Sequence, residues 1–151
     1  MIKILCVGKM KEKGMLALQQ EYLKRLSRFH KVELVELKEG NPSYEETKLI
    51  DDESSRLLEQ IKPTDYVVIF DVKSQPMDSL AFSNLVDQSL SKGSVVFVLG
   101  GSLGFNQTIL DRAHDKISMS KMTFPHLLAR IMVLEQLYRS FKILNNQTYH
   151  K

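Results

Sequence analysis

The residues of this chain that could do chemistry are concentrated in its last third, from Gly100 onward. Gly100-Gly101-Ser102-Leu103-Gly104 comes first. Adjacent glycines let a backbone approach a ligand and turn its N–H groups toward it. The same residues also suit a plain tight turn. They form neither a GxGxxG fingerprint nor a P-loop, since no Lys-Ser/Thr follows. Ser120-Lys121-Met122-Thr123-Phe124-Pro125-His126 comes next. Pro125 keeps Phe124 out of helical geometry, so an extended segment halts before a helix. Its hydroxyls, amides and apolar side chains suit a purine ring with a ribose edge, and equally a polar connector with a helix-entry proline. His126, at or near the start of that helix, is a base, a hydrogen-bond partner or a structural histidine.

Beyond it, Arg130 falls inside the apolar arc of the helix, where a guanidinium needs an anionic ligand or a buried acidic partner. Glu135 and Arg139 stand four apart on the other side, as a site pair or a surface ion pair. The chain ends Tyr149-His150-Lys151. An aromatic ring, an imidazole and an ammonium side by side suit base stacking and phosphate contact. Composition alone reads these last residues as a frayed tail.

Such groups need a frame. Five short apolar runs read as strands, at Ile2–Val7, Val32–Leu37, Tyr66–Phe70, Val95–Leu99 and Ile117–Met119. Several are continuous rather than alternating, as in strands covered on both faces. Between them, Met15, Leu18, Tyr22, Leu26 and Phe29 mark one face of a first helix. Ser43 and Glu46 form a capping-box pattern opening a second, with Ile50, Leu57, Leu58 and Ile61 inward. Asp78 caps a third helix carrying Phe82, Leu85, Val86 and Leu90, and Asn106 a short fourth. The last, Leu127–Leu144, has a main apolar face of Leu127, Ile131, Leu134, Leu137, Tyr138 and Phe141. A second patch of Leu128, Met132 and Ile143 asks for a partner, most simply a second copy.

Strands alternating with helices predict a single α/β domain with a mainly parallel sheet and helices on both faces. Ligands in such sheets sit beyond the carboxyl ends of the strands. Three segments qualify: Asp71–Met77, Gly100–Phe105 and Ser120–His126.

Composition narrows the class. Hydrophobic residues make up 43% and charged residues 26%, ordinary for a globular chain able to bury a core. The one cysteine, Cys6, lies within an apolar run, which excludes an internal disulfide and suits a reducing compartment. No convincing cluster of metal ligands is present. The opening Met1-Ile2-Lys3-Ile4 lacks a signal-peptide layout, and no apolar run is long enough to span a bilayer. These features describe a cytoplasmic protein. Residues 1–50 carry 10 basic and 7 acidic groups, residues 51–100 carry 4 and 8, and residues 101–151 carry 7 and 3. A polyanion would be met by the two ends, if they share a face.

Together, Val-Val-Phe-Val-Leu-Gly-Gly-Ser-Leu-Gly-Phe at 95–105, Ser-Met-Ser-Lys-Met-Thr-Phe-Pro-His at 118–126, Glu-Gln-Leu-Tyr-Arg at 135–139 and the terminal Tyr-His-Lys resemble the bacterial RlmH type of ribosomal RNA methyltransferase, in the SPOUT superfamily. The resemblance covers the whole chain. It implies a C-terminal trefoil knot, a homodimer, and transfer of methyl from S-adenosylmethionine to N3 of a pseudouridine in helix 69 of 23S rRNA on assembled ribosomes. It further implies a cofactor site of Phe70, Gly100, Met119, Ser120, Lys121, Met122, Thr123 and Phe124. By the same resemblance His126, Arg130, Arg139, Tyr149 and His150 serve catalysis, and Arg139, Tyr149, His150 and Lys151 face RNA, while Glu135 matches a family position beside them. Two positions depart from the family pattern: Leu127 stands where Gln is frequent, and Gln147-Thr148 where a proline usually precedes Tyr-His.

Methyl transfer of this kind is an in-line displacement, so donor and nitrogen must be aligned and water excluded. Loss of the N3 proton assists it. His150 or His126 is expected to take or relay that proton, with Arg130, Arg139 and Lys151 favouring the anion. Other readings fit the residues alone: a related enzyme with another RNA target, a silent RNA-binding module, or a generic nucleotide-binding protein.

Overall fold

The computed structural model describes all of residues 1–151. Strands β1 (Ile2–Val7), β2 (Val32–Leu37), β3 (Tyr66–Phe70), β4 (Val95–Leu99) and β5 (Asp115–Ile117) form one sheet in the order β2-β1-β4-β3-β5. Every pairing is parallel. Helices α1 (Lys13–Leu26), α2 (Glu46–Glu59), α3 (Ser79–Leu90), α4 (Gln107–Arg112) and α5 (His126–Leu144) connect and follow the strands. The expected α/β architecture is present.

Side-chain alternation divides the core in two. Ile2, Ile4 and Cys6 of β1, with Val95, Phe97 and Leu99 of β4, face α1, α3 and α5. Leu5 and Val7, with Val96 and Val98, face α2 and α4. The three central strands are therefore apolar on both sides, which explains their continuous runs. The α5 layer buries Val133, Leu134, Leu137 and Phe141 against Leu26, Phe82 and Val86. Each such side chain contributes roughly 1.5–3 kcal/mol when fully removed from water.

Three local expectations are corrected. The fifth strand runs Asp115–Ile117 instead of Ile117–Met119. It is an edge strand in which only Ile117 is buried, so polar Asp115 and Lys116 are admitted and the apolar run marks its exit, not its course. The Ser43–Glu46 capping box does not form, because the Ser43 hydroxyl and N–H both donate to Asn41 Oδ1, at 2.8 and 3.0 Å. Helix α2 starts after Glu45, without a side-chain cap. Phe29 lies beyond the end of α1, although its ring still packs on the core beside Phe141.

The caps at Asp78 and Asn106 are made, accepting from Ala81 N–H at 2.8 Å and Ile109 N–H at 3.1 Å. No helix is long and apolar enough to cross a membrane.

Candidate active site

Phe70 is in register with Leu99 of β4 and with Ile117 of β5, so the three strands end at one level. The loops that follow them consequently emerge side by side. They enclose a cavity of about 690 Å³, within the usual range for small-ligand sites. Its floor is apolar, from Phe70, Leu99, Ile117 and Phe105. The three segments singled out from the sequence meet here.

The turn after β4 supplies polar groups from its backbone. Gly101 and Gly104 form an antiparallel bridge, with Gly104 N–H donating to Gly101 O at 3.2 Å, while the N–H groups of Gly100, Ser102 and Leu103 make no hydrogen bond within the protein. These free amides make a cradle for ligand acceptors. The Phe105 ring packs so closely on Gly100 that a Cβ there would lie 3.0 Å from it, so the turn needs glycine. Opposite, Ser118 Oγ donates to Ser120 O at 2.7 Å and Met122 N–H donates to Ser120 Oγ at 3.0 Å, which fixes the bend before Pro125.

The expected cofactor residues converge with one exception. Phe70, Gly100, Met119, Ser120, Met122, Thr123 and Phe124 line the cavity. Lys121 is exposed and does not. Each loop also puts one exposed apolar side chain on the rim: Val72 (70% exposed), Leu103 (41%) and Met122 (73%). Val72 and Leu103 were not singled out individually; only their place after a strand end pointed to them.

His126, the first residue of α5, stands on the cavity wall. Its Nε2 is buried with no hydrogen-bond partner, and Glu39 Oε1 lies 3.7 Å away. The other ionisable lining residues are Asp71 and Lys73. Asp71 is engaged in its own loop by Lys73 N–H and the Ser74 hydroxyl, at 3.2 and 3.4 Å.

Arg130 is placed differently from expectation. It is 1% exposed and does not line the cavity. Its Nη1 donates to Glu36 Oε2 at 2.6 Å, and its Nη2 to the carbonyls of Gly8 and Val7 at 2.7 and 3.2 Å. An acidic partner, itself partly exposed, meets the guanidinium, and the contact braces α5 against β1 and β2.

The remaining residues gather on the second half of α5. Arg139 Nε donates to Glu135 Oε1 at 2.7 Å, and its Nη1 contacts His150 Nδ1 at 3.1 Å. The Arg139 guanidinium lies 4.7 Å from the Tyr149 ring centroid, and Tyr149 meets Tyr138 edge-on at 5.0 Å. Burial and then the Glu135 charge push the Tyr149 hydroxyl above its ordinary pKa. The tail is thus docked, not frayed, with His150 and Lys151 exposed. Arg25 of α1 sits 5.4 Å from the Tyr138 ring, so the two basic ends of the chain do share a face. From His126 to Arg139, α5 rises about 20 Å, which separates this cluster from the cavity within one chain. Of the proposed second apolar patch, Leu128 is exposed while Met132 and Ile143 are half-buried.

A family model described as "Predicted SPOUT methyltransferase" matches residues 1–150. The chain is 45% identical over 154 residues to a Caldicellulosiruptor saccharolyticus protein named "Ribosomal RNA large subunit methyltransferase H", with 100% of both chains covered. A Clostridium botulinum protein of the same name is 43% identical over 157 residues, with 99% of both chains covered.

Proposed function

We propose that this chain, which belongs to the SPOUT methyltransferase family, methylates the large-subunit ribosomal RNA with S-adenosylmethionine as donor. The target we infer is N3 of a pseudouridine in helix 69 of 23S rRNA, on assembled cytoplasmic ribosomes. The observation that carries this reading is the apolar cavity at the level ends of β3, β4 and β5, with free amides of the glycine turn on one wall.

That cavity fits the donor. Phe70, Leu99 and Ile117 offer an apolar floor for a purine, and the amides of Gly100, Ser102 and Leu103 offer donors to its acceptor atoms. Ser120, Met122, Thr123 and Phe124 close the opposite side. The bound sulfonium supplies an electrophilic methyl group. The chain's own part is to align that methyl with the target nitrogen and keep water out, which the exposed apolar rim of Val72, Leu103 and Met122 assists.

The free Nε2 of His126 is the proton acceptor nearest the cavity. His150, on the tail, is the alternative. Arg139, Tyr149, His150 and Lys151 form the RNA-facing group, with Arg139 and Lys151 on phosphate and Tyr149 offering a ring for stacking. Their separation from the cavity along α5 supports a homodimer in which one copy's tail serves its partner's cavity. The reading includes a C-terminal trefoil knot and requires no metal.

The test is transfer of labelled methyl from S-adenosylmethionine to 70S ribosomes compared with naked rRNA, followed by mapping of the modified nucleotide. Label on one pseudouridine of helix 69 is expected, with ribosomes preferred. No labelled rRNA under either condition sinks the proposal. Label on another nucleotide keeps the chemistry and overturns the target.

A further inference from the structure

Glu53 of α2 is a buried carboxylate whose place the cavity alone does not explain. Its side chain points inward, and the residue is only 5% exposed. Oε2 accepts Gly40 N–H at 2.8 Å, while Oε1 is buried with no partner at all. No cation pairs with it: Arg56, one turn on, donates to the carbonyls of Lys38 and Glu39 at 2.8 and 3.1 Å. A buried carboxylate oxygen left without a donor is costly, so its persistence asks for a reason.

The unpartnered oxygen lies directly beneath the glycine turn. A Cβ built on Gly101 would stand 2.7 Å from Glu53 Oε1. The neighbouring residues of α2 hold the far end of the same loop, because Asn106 N–H donates to Ser54 Oγ and Asn106 Nδ2 donates to Asp51 Oδ1, both at 3.0 Å. Above Glu53 Oε1 therefore lies a turn in which the amides of Gly100, Ser102 and Leu103 are unpaired, and below it an acceptor with no donor. The two deficits match.

The loop between β2 and α2 ties this spot to the opposite wall. Gly40 donates to Glu53, and the residue before it, Glu39, is the acid 3.7 Å from His126. One dipeptide thus lies beside two unpartnered buried atoms, Glu53 Oε1 and His126 Nε2.

We propose that Glu53 is a positioning residue for the donor site: its free Oε1 accepts an amide N–H of the Gly100–Ser102 turn when an adenosyl ligand seats. The turn then presents its other amides to the ligand in a fixed orientation. This inference rests on the assignment of the cavity to S-adenosylmethionine. It adds that ligand binding completes a hydrogen bond the ligand-free protein leaves unmade. Gly101 is glycine so that the carboxylate can come this close.

The test uses the full chain with S-adenosylhomocysteine as probe, in calorimetric binding, ligand-induced melting shift and amide exchange of residues 100–104. Wild type should bind, and the Gly101 or Ser102 amide should become protected on binding. Glu53→Gln keeps the shape and Glu53→Ala removes the acceptor. Both should keep a ligand-free melting temperature adequate for measurement, and the alanine variant should bind about tenfold more weakly or worse. With S-adenosylmethionine, its KM should rise more than its kcat falls. Should Glu53→Ala prove unfolded, Gly101→Ala serves instead. Its Cβ displaces Oε1, so affinity should drop while ligand-free melting holds. Wild-type affinity in Glu53→Ala or Gly101→Ala, or no change in turn exchange on binding, overturns the role of Glu53 while leaving the cavity assignment standing. Absence of binding by wild type overturns both.

Discussion

Arg130 Nη1 lies 2.6 Å from Glu36 Oε2, and that contact joins the last helix to an edge strand nearly a hundred residues earlier in the chain. Glu36 Oε2 also accepts Met10 N–H at 2.7 Å, so one carboxylate fixes the β1–α1 loop and α5 together. Its side chain keeps 26% exposure, whereas that of Arg130 keeps 1%. The arginine is the member that depends on the pair.

Removing it should be felt as stability and not as chemistry. Arg130→Ala is expected to cost about 2–5 kcal/mol, since it leaves two buried carbonyls without a donor and a cavity behind. Arg130→Met, which keeps volume, should cost less. Denaturant titration measures both. If Arg130→Met binds S-adenosylhomocysteine within about twofold of wild type below its melting temperature, the residue is structural. A stable variant that has lost binding would return Arg130 to the site.

The Tyr66 hydroxyl donates to Asp115 Oδ2 at 2.6 Å and its ring stacks on His114 with centroids 4.4 Å apart, which pins the start of β5. That hydrogen bond first, and then burial, push the Tyr66 hydroxyl up to about 12. The folded state therefore holds this proton more tightly than the unfolded chain, where tyrosine titrates near 10. The resulting stability is complete below about pH 10 and is lost as pH rises through about 12. Tyr66→Phe should cost about 1 kcal/mol at neutral pH and should abolish that part of the alkaline decline. Parallel pH-stability curves for the two proteins above pH 10 would contradict the assignment.

Asn106 serves two elements at once. It caps α4, a helix of only six residues, and its side-chain amide reaches Asp51 of α2. Asn106→Ala should lower stability by about 1–2 kcal/mol and loosen the Gly100–Phe105 loop. Asn106→Asp keeps the cap acceptor but faces the Asp51 carboxylate, so it should fall between. Equal melting temperatures for all three chains would show that neither bond matters.

Cys6 offers a probe of the core. Burial pushes its thiol up to about 12, with the Arg130 charge opposing. The native protein should therefore resist a thiol-specific reagent at pH 8 and react fully only in denaturant. Rapid labelling of native protein would mean that the β1 layer opens far more easily than its packing implies.

How much of this was legible in the sequence depends on what each residue must satisfy. Apolar runs located β1, β3 and β4 because those strands are buried over most of their length, and β2 through its half-buried Val32, Leu34, Val35 and Leu37; two cap residues were found because Asp78 and Asn106 face free N–H groups within their own turn. Both are local requirements. The Ser43–Glu46 pattern was equally local but lost to Asn41, a competitor two residues away. The three loops of the cavity followed from strand ends. Long-range pairings did not: nothing in the sequence tied Arg130 to Glu36 across the sheet. Glu53 left a fainter mark. It stands three residues after Ile50 and four before Leu57, on the inward face of α2, where a carboxylate is out of place.

The strand order has a consequence for the chain as it is made. Both β5, which ends the sheet, and the Ser120–Phe124 wall come from the last quarter of the polypeptide, and β5 pairs only with β3. A nascent chain that has released residues 1–99 already owns four strands, yet it lacks two of the three cavity walls. Closure of the cavity must wait until the start of the C-terminal helix has left the exit tunnel. A chain cut short before β5 therefore carries four strands of the sheet but no complete cavity.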